Sequence, residues 1–313
     1  MYLVTGAGGY VASHVIRALK ERYPDKPIRG LVRKELDFEK ARGRGFEPVL
    51  GDVTDRASLD AAMQGVEVVV HLAAINRERG KMTFEAVNTQ GTINVVETAK
   101  AAGVGLLVNV VGLGADPNRP ERLAASQGSA LNYIWNSRLA YITFEASVVF
   151  GQGDEFISTL AGLARLPLIG IIPGDGQTHF QPIWVGDVAV CVARAASDEA
   201  MRNRHYCIAG PEIMTLKAIN DTVWDTLGVR RLKLYMPVGV LRPLVFLMDK
   251  LLPKPPVTPG LLALLGQDNV VAENAIETAF GIAPRRLEEG IDYVRQITLG
   301  RFLARTLGRV EYR

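Results

Sequence analysis

The chain has 313 residues, 48% of them hydrophobic, and its 36 Lys and Arg against 33 Asp and Glu leave a formal net charge of +3. That composition argues against global disorder, and so small a charge excess gives no reason to expect a nucleic-acid partner. Two cysteines, Cys191 and Cys207, occur with no C-x-x-C and no paired histidine spacing. A disulfide framework and a metal site are therefore not expected, and a reducing cytoplasm fits.

The first apolar run, Met1 to Val4, leads directly into a glycine turn, so no leader segment is expected. Short apolar runs then alternate with helix-length amphipathic stretches. Strands are expected at Tyr2 to Val4, Ile28 to Val32, Pro48 to Leu50, Val66 to Leu72, Leu106 to Val111 and Ala140 to Phe144. Helices are expected at Tyr10 to Arg22, Ser58 to Met63, Thr89 to Ala102 and Leu123 to Asn136. Strand and helix in alternation predict an α/β fold, a doubly wound parallel sheet. After Gly151 the alternation fades into Gly, Pro and apolar patches, which places a nucleotide-binding domain at 1–151. The last sheet elements and a smaller, interleaved lobe for substrate or interaction follow at 152–313. The greasiest stretch, Met236 to Leu265, is broken by Arg242, Asp249, Lys250, Lys254 and prolines, short of the ~18 uninterrupted apolar residues of a membrane span.

The run V-T-G-A-G-G-Y-V-A at Val4 to Ala12 joins a strand to a helix. Backbone N–H groups at Gly6, Gly8, Gly9, Tyr10 and Val11, with the positive end of the helix dipole, would there meet a pyrophosphate. The second strand ends G-L-V-R, with Arg33 and Lys34 where an NAD site would place an acid for the ribose hydroxyls. A guanidinium pairs instead with a 2′-phosphate, so NADP(H) is the expected cofactor, in its NADPH form.

With that turn, the segments G-D-V-T-D (Gly51 to Asp55), H-L-A-A (His71 to Ala74), V-N-T-Q-G-T (Val87 to Thr92) and S-V-V-F-G (Ser147 to Gly151) resemble the extended and atypical short-chain dehydrogenase/reductases, a Rossmann-fold family. F-Q-P-I-W-V-G-D-V-A (Phe180 to Ala189) and A-G-P-E-I-M-T (Ala209 to Thr215) are similar to the subgroup of NADPH-binding accessory subunits of respiratory complex I. The resemblance implies that Asp52 and Val53 meet the adenine. It implies too that Leu72, Ala73 and Ala74 line the nucleotide cleft, and that Ser147 and Val148 face the nicotinamide.

Active members of that family use a Tyr, a Lys four residues later and a strand Ser or Thr. Counting from S-V-V-F-G and from the fifth strand, those positions fall on Leu123, Gln127 and Val111. None can exchange a proton or supply a positive field. No Tyr in the chain is followed four residues later by Lys, and the nearest, Tyr133, sits too far along its helix and reads as packing. His14 and His71 read as structural. Asp175 and His179, in a glycine-rich stretch, are a thin candidate for an acid/base pair.

In the back half, Leu241 to Leu252 and Leu261 to Leu265 read either as a cover for the small lobe's core or as a greasy face for a partner. Arg295 to Arg313 reads as a basic amphipathic helix, either solvated or docking on a larger assembly or on anionic lipid, and Gly300 to Arg313 is expected to be dispensable for folding. The leading expectation is an inert NADP(H)-binding subunit of a larger redox or photosynthetic assembly, peripheral on a membrane, whose partners are other protein subunits. The alternatives are an NADP-dependent reductase or epimerase acting on a sugar nucleotide or isoprenoid, and an NADPH-sensing regulator.

Overall fold

A computed structural model describes residues 1–35 and 38–310. They form two compact units. The first comprises Met1–Ala146, Val185–Ile208 and Asn274–Gly281; the second comprises Ser147–Trp184, Ala209–Glu273 and Ile282–Arg313.

The first unit is built on β1 (Tyr2–Thr5), β2 (Ile28–Val32), β3 (Glu47–Leu50), β4 (Val68–His71), β5 (Leu106–Gly112) and β6 (Tyr141–Ala146). Helices α1 (Tyr10–Arg22), α2 (Phe38–Gly43), α3 (Leu59–Met63), α4 (Gly91–Ala101) and α5 (Arg122–Asn136) connect them. A π-helical turn, Glu85–Gln90, precedes α4 and takes up the residues expected to begin it. A seventh strand, Arg204–Ile208, pairs with β6, giving the order 204–208, β6, β5, β4, β1, β2, β3, parallel throughout. Strands buried on both faces need near-continuous apolar runs, and Leu3, Val69, Val70, Leu107 and Val108 supply them. Helix α1 turns Ala12, Val15, Ile16 and Leu19 inward at helical spacing and packs on the helix Val185–Ala195. The strand order reverses direction between β1 and β4, and in such sheets a ligand crevice opens beyond the carboxyl ends at that point. The ends of β1, β2, β3 and β4 carry Gly6, Arg33, Asp52 and Leu72.

The second unit has its own core, centred on Phe150, Phe156, Ile157, Phe180, Leu216, Ile219, Trp224, Leu287 and Ile291. A parallel ribbon pairs Ile169–Pro173 with Leu232–Met236. The helix Val238–Leu251 buries Leu241 and Val245 against Leu262, and leaves Val240, Leu244, Phe246, Leu247 and Leu251 exposed. The reading as a cover for the small lobe's core therefore holds for one face, and the other face is exposed. Among the described residues no helix is long and apolar enough to cross a membrane.

The tail departs from its expectation. The helix Leu299–Thr306 starts at Thr298, whose hydroxyl accepts from Arg301 N, and it is no solvated appendage. Phe302 is 4% exposed and its ring fills the space that a side chain on Gly162 would need. Arg305 is tucked in with it, its Nη2 3.3 Å from Glu155 Oε1. A helix of eight residues is not stable alone, so its burial against the helix Phe156–Ala164 is what holds it. Leu299, Leu303, Leu307 and Val310 remain exposed. Residues 311–313 of the expected basic helix lie outside the described residues.

Candidate functional site

Gly6 sits at φ +65°, and a Cβ there would lie 2.9 Å from Ala73 Cα, Ala73 N and Leu72 O. Both the left-handed backbone and this close approach require glycine. Gly9 N donates to Gly6 O at 2.8 Å, which closes the turn, while a Cβ on Gly8 would meet nothing within 4 Å. Gly9 is the N-cap of α1 and offers no side chain to the N–H groups of the first turn. An open face beside an uncapped helix start is the cradle that a phosphate fills.

The neighbouring strand ends frame it. Leu72 N and Ala73 N both donate to Thr5 Oγ1, at 3.2 and 3.3 Å, which ties the β4 loop carrying Leu72, Ala73 and Ala74 to the end of β1. The Thr5 hydroxyl proton goes to His71 Nδ1 at 2.7 Å, and His71 Nε2 donates to Thr92 Oγ1 at 2.9 Å, whose own proton goes to Asn88 O. His71 is thus a neutral strut, its pKa pulled down to about 4 by burial. Asp52 Oδ1 accepts from Thr54 N and Thr54 Oγ1, both at 2.9 Å, and Val53 is buried beneath α4, its carbonyl taking Asn94 Nδ2. Arg33 and Lys34 are exposed where β2 ends, with Arg33 Nη1 3.9 Å from Met82 Sδ.

Residues 6–147 match the family described as NAD(P)H-binding. Over that segment the chain is similar to NAD(P)H-binding proteins, and over most of its length it resembles atypical short-chain dehydrogenase/reductases. Over 292 residues it is 25% identical to NADH dehydrogenase [ubiquinone] 1 alpha subcomplex subunit 9 of Arabidopsis thaliana, covering 88% of this chain and 71% of that one. It is 26% identical over 276 residues to sterol demethylase protein B of Methylococcus capsulatus, covering 80% and 81%. In fold it is similar to the NADPH-dependent quinone oxidoreductase of Escherichia coli solved with NADPH, with a TM-score of 0.75, 22% identity and coverage of 92% and 98%.

Val111, Leu123 and Gln127, where the resemblance would put the strand hydroxyl, the Tyr and the Lys, are two apolar residues and a neutral amide. Val111 lies near the end of β5, nearly buried, and α5 carries Leu123 and Gln127. Gln127 Oε1 reaches back to Gly112, where a Cβ would sit 3.4 Å from it. The Tyr133 hydroxyl donates to Glu97 Oε1 at 2.8 Å, and burial raises its pKa, so this phenol is committed to packing α5 on α4.

Ser147 and Val148 fall in the second unit. Ser147 Oγ lies 2.9 Å from Asn269 O and 2.8 Å from Asn269 Oδ1, and Val148 N donates to the same Oδ1 at 3.0 Å. The Asp175 and His179 candidate does not assemble. Asp175 Oδ1 accepts from Gln177 N, and His179 Nδ1 instead lies 3.4 Å from Asp268 Oδ1.

One constellation escaped the reading of spacing. Glu145 on β6 and His205 and Cys207 on the strand Arg204–Ile208 converge, all three ligand atoms within 4.8 Å of one another. Their only linear signal was the alternation H-Y-C, which puts His205 and Cys207 on one face of a strand.

Proposed function

We propose that this chain is an NADPH-binding subunit that performs no hydride transfer and contributes to a larger redox assembly, one associated with a membrane. The reading is supported by the combination of an open glycine turn at Gly6 to Val11 with Leu123, Gln127 and Val111 at the positions where the resemblance would put a Tyr, a Lys and a strand hydroxyl. NADPH at 100 times its dissociation constant would add about 2.7 kcal/mol to the fold, reason enough to retain the turn without turnover. The similarity to a named subunit of NADH dehydrogenase supports the assembly role. So do the exposed leucines and Phe246 of the helix Val238–Leu251, a surface that water does not favour.

In this reading Gly6, Gly8, Gly9, Tyr10 and Val11 hold the pyrophosphate, Arg33 and Lys34 the 2′-phosphate, Asp52 and Val53 the adenine, and Leu72, Ala73 and Ala74 one wall of the cleft. Val111, Ser147 and Val148 are assigned to the nicotinamide end. When bound, the nucleotide would supply a hydride at its nicotinamide, and none of Val111, Leu123 and Gln127 offers the acid that reduction of a carbonyl would need beside it.

NADPH is expected to raise the melting temperature more than NADH at equal concentration, and Arg33→Ala to abolish the difference. Equal shifts with both nucleotides would remove the 2′-phosphate assignment. Purified protein with NADPH is expected to reduce no carbonyl, enone or sugar nucleotide above the uncatalysed rate, and to co-sediment with a multisubunit membrane fraction. A second reading, an active NADP-dependent reductase on an isoprenoid-class substrate, is favoured by the similarity to a sterol demethylase protein. Turnover that follows the protein through purification would establish it.

A further inference from the structure

The sheet edge of the first unit carries a polar cluster that the nucleotide reading does not use. Cys207 is the direct register partner of Glu145 across the parallel ladder, and His205 is the partner of Thr143. Alternation puts all four side chains on one face, opposite Phe144 and Tyr206, whose rings pack with Phe280. Glu145 Oε1 lies 3.2 Å from His205 Nε2, and Cys207 Sγ lies 3.7 Å from the same nitrogen. Ligand atoms around a tetrahedral Zn²⁺, at bond lengths of about 2.0 to 2.3 Å, stand roughly 3.3 to 3.7 Å apart.

The atoms behind this triad aim it. Glu145 Oε2 accepts from Gly114 N at 2.7 Å and from Ala115 N at 3.2 Å, which orients the carboxylate and turns Oε1 toward the histidine. Thr143 Oγ1 accepts from Trp135 Nε1 at 3.1 Å and lies 3.0 Å from His205 Nδ1, while the indole stacks edge-on against the imidazole. Nδ1 is held at the Thr143 hydroxyl, so Nε2 is the ring nitrogen that faces the carboxylate and the sulfur, and the proton it gives to Glu145 in the metal-free chain leaves to solvent when a cation binds. Three electron-pair donors then meet at one point, with outer partners of the kind that orient metal-bound histidines. The site is shielded yet reachable, with 12% of the Glu145 side chain and 30% of the His205 side chain exposed.

We propose that Glu145, His205 and Cys207 form a binding site for a single zinc-class divalent cation. The cation takes Oε1, Nε2 and Sγ, the Cys207 thiol proton leaves to solvent on binding, and a water completes the tetrahedron. It would bolt the edge strand Arg204–Ile208 to β6. Mg²⁺ and Ca²⁺ are poor fits, because they select oxygen ligands and the site offers one sulfur and one nitrogen.

Co²⁺ titrated into chelator-treated, reduced protein reads this directly. The expected result is saturation at one cobalt per chain, with a thiolate-to-cobalt charge-transfer band and visible bands of tetrahedral intensity, all displaced by one equivalent of Zn²⁺. Cys207→Ser should remove the charge-transfer band, His205→Gln should weaken binding tenfold or more, and Cys191→Ala should change neither. A second measurement needs no variant: one equivalent of Zn²⁺ should slow alkylation of Cys207 by iodoacetamide at least tenfold. No thiolate band at saturating cobalt, a band that survives Cys207→Ser, or an unslowed alkylation each overturns the site.

Discussion

Phe302→Ala is expected to destabilise the second unit by about 3–5 kcal/mol, the cost of emptying a buried aromatic site. The ring lies over Gly162 in the last turn of the helix Phe156–Ala164, and no room remains there for a Cβ. Gly162→Ala should therefore also destabilise, by overpacking against the ring. In the double variant the new methyl group occupies part of the space the ring vacated, so the two losses should fall short of their sum. Chemical denaturation of the four proteins in the cycle measures this. A loss below about 1 kcal/mol for Phe302→Ala, or strict additivity, would return the tail to the status of a solvated helix. The same geometry predicts that deleting Gly300 to Arg313 lowers stability, because the deletion takes Phe302 and the Arg305 pairing with Glu155 along with any docking surface. Loss of assembly in such a truncation would not by itself locate a docking face. Substituting Leu299, Leu303 and Leu307, which are exposed, separates the two effects.

Acid is expected to unfold this protein through His71. The imidazole is fully buried, its Nδ1 takes the Thr5 proton and its Nε2–H is given to Thr92. Burial holds its pKa at about 4, against about 6.5 in an unfolded chain. Between those values the unfolded state binds a proton that the folded state refuses, so stability rises with pH there. The contribution is fully present above about 6.5 and is lost as pH falls to about 4, by roughly 3 kcal/mol at 1.36 kcal/mol per unit. The loss also reaches the candidate nucleotide site. Thr5 Oγ1 is the acceptor for Leu72 N and Ala73 N, and Gly6 packs on that same backbone. NADPH affinity should therefore weaken across the same window. Urea midpoints at pH 7 and pH 4.5 for wild type and His71→Gln test it, the variant being less stable but flatter. Parallel curves, or a ring resonance of His71 that titrates near 6.5, would exclude His71 as the acid-sensitive strut.

The local chemistry of the first 146 residues was legible before any fold was known. Tyr10 to Arg22 and Ile28 to Val32 were placed to the residue, because a parallel-sheet strand and an amphipathic helix each announce themselves within a dozen positions. The turn at Gly6 was legible too, since few backbones need glycine at that point. The rest depended on pairings across long separations. Asp268, 89 residues from His179, replaced Asp175 as its neighbour. Phe302 became a core residue because the leucine stripe beside it, equally apolar in sequence, was left facing water; periodicity gives the faces of a helix but not which one meets the protein. Residues 204–208 return some 60 positions after β6 to pair beside it, and that register alone sets His205 and Cys207 against Glu145. Parallel pairing leaves no trace at short range, because its two strands are joined only through whatever chain lies between them.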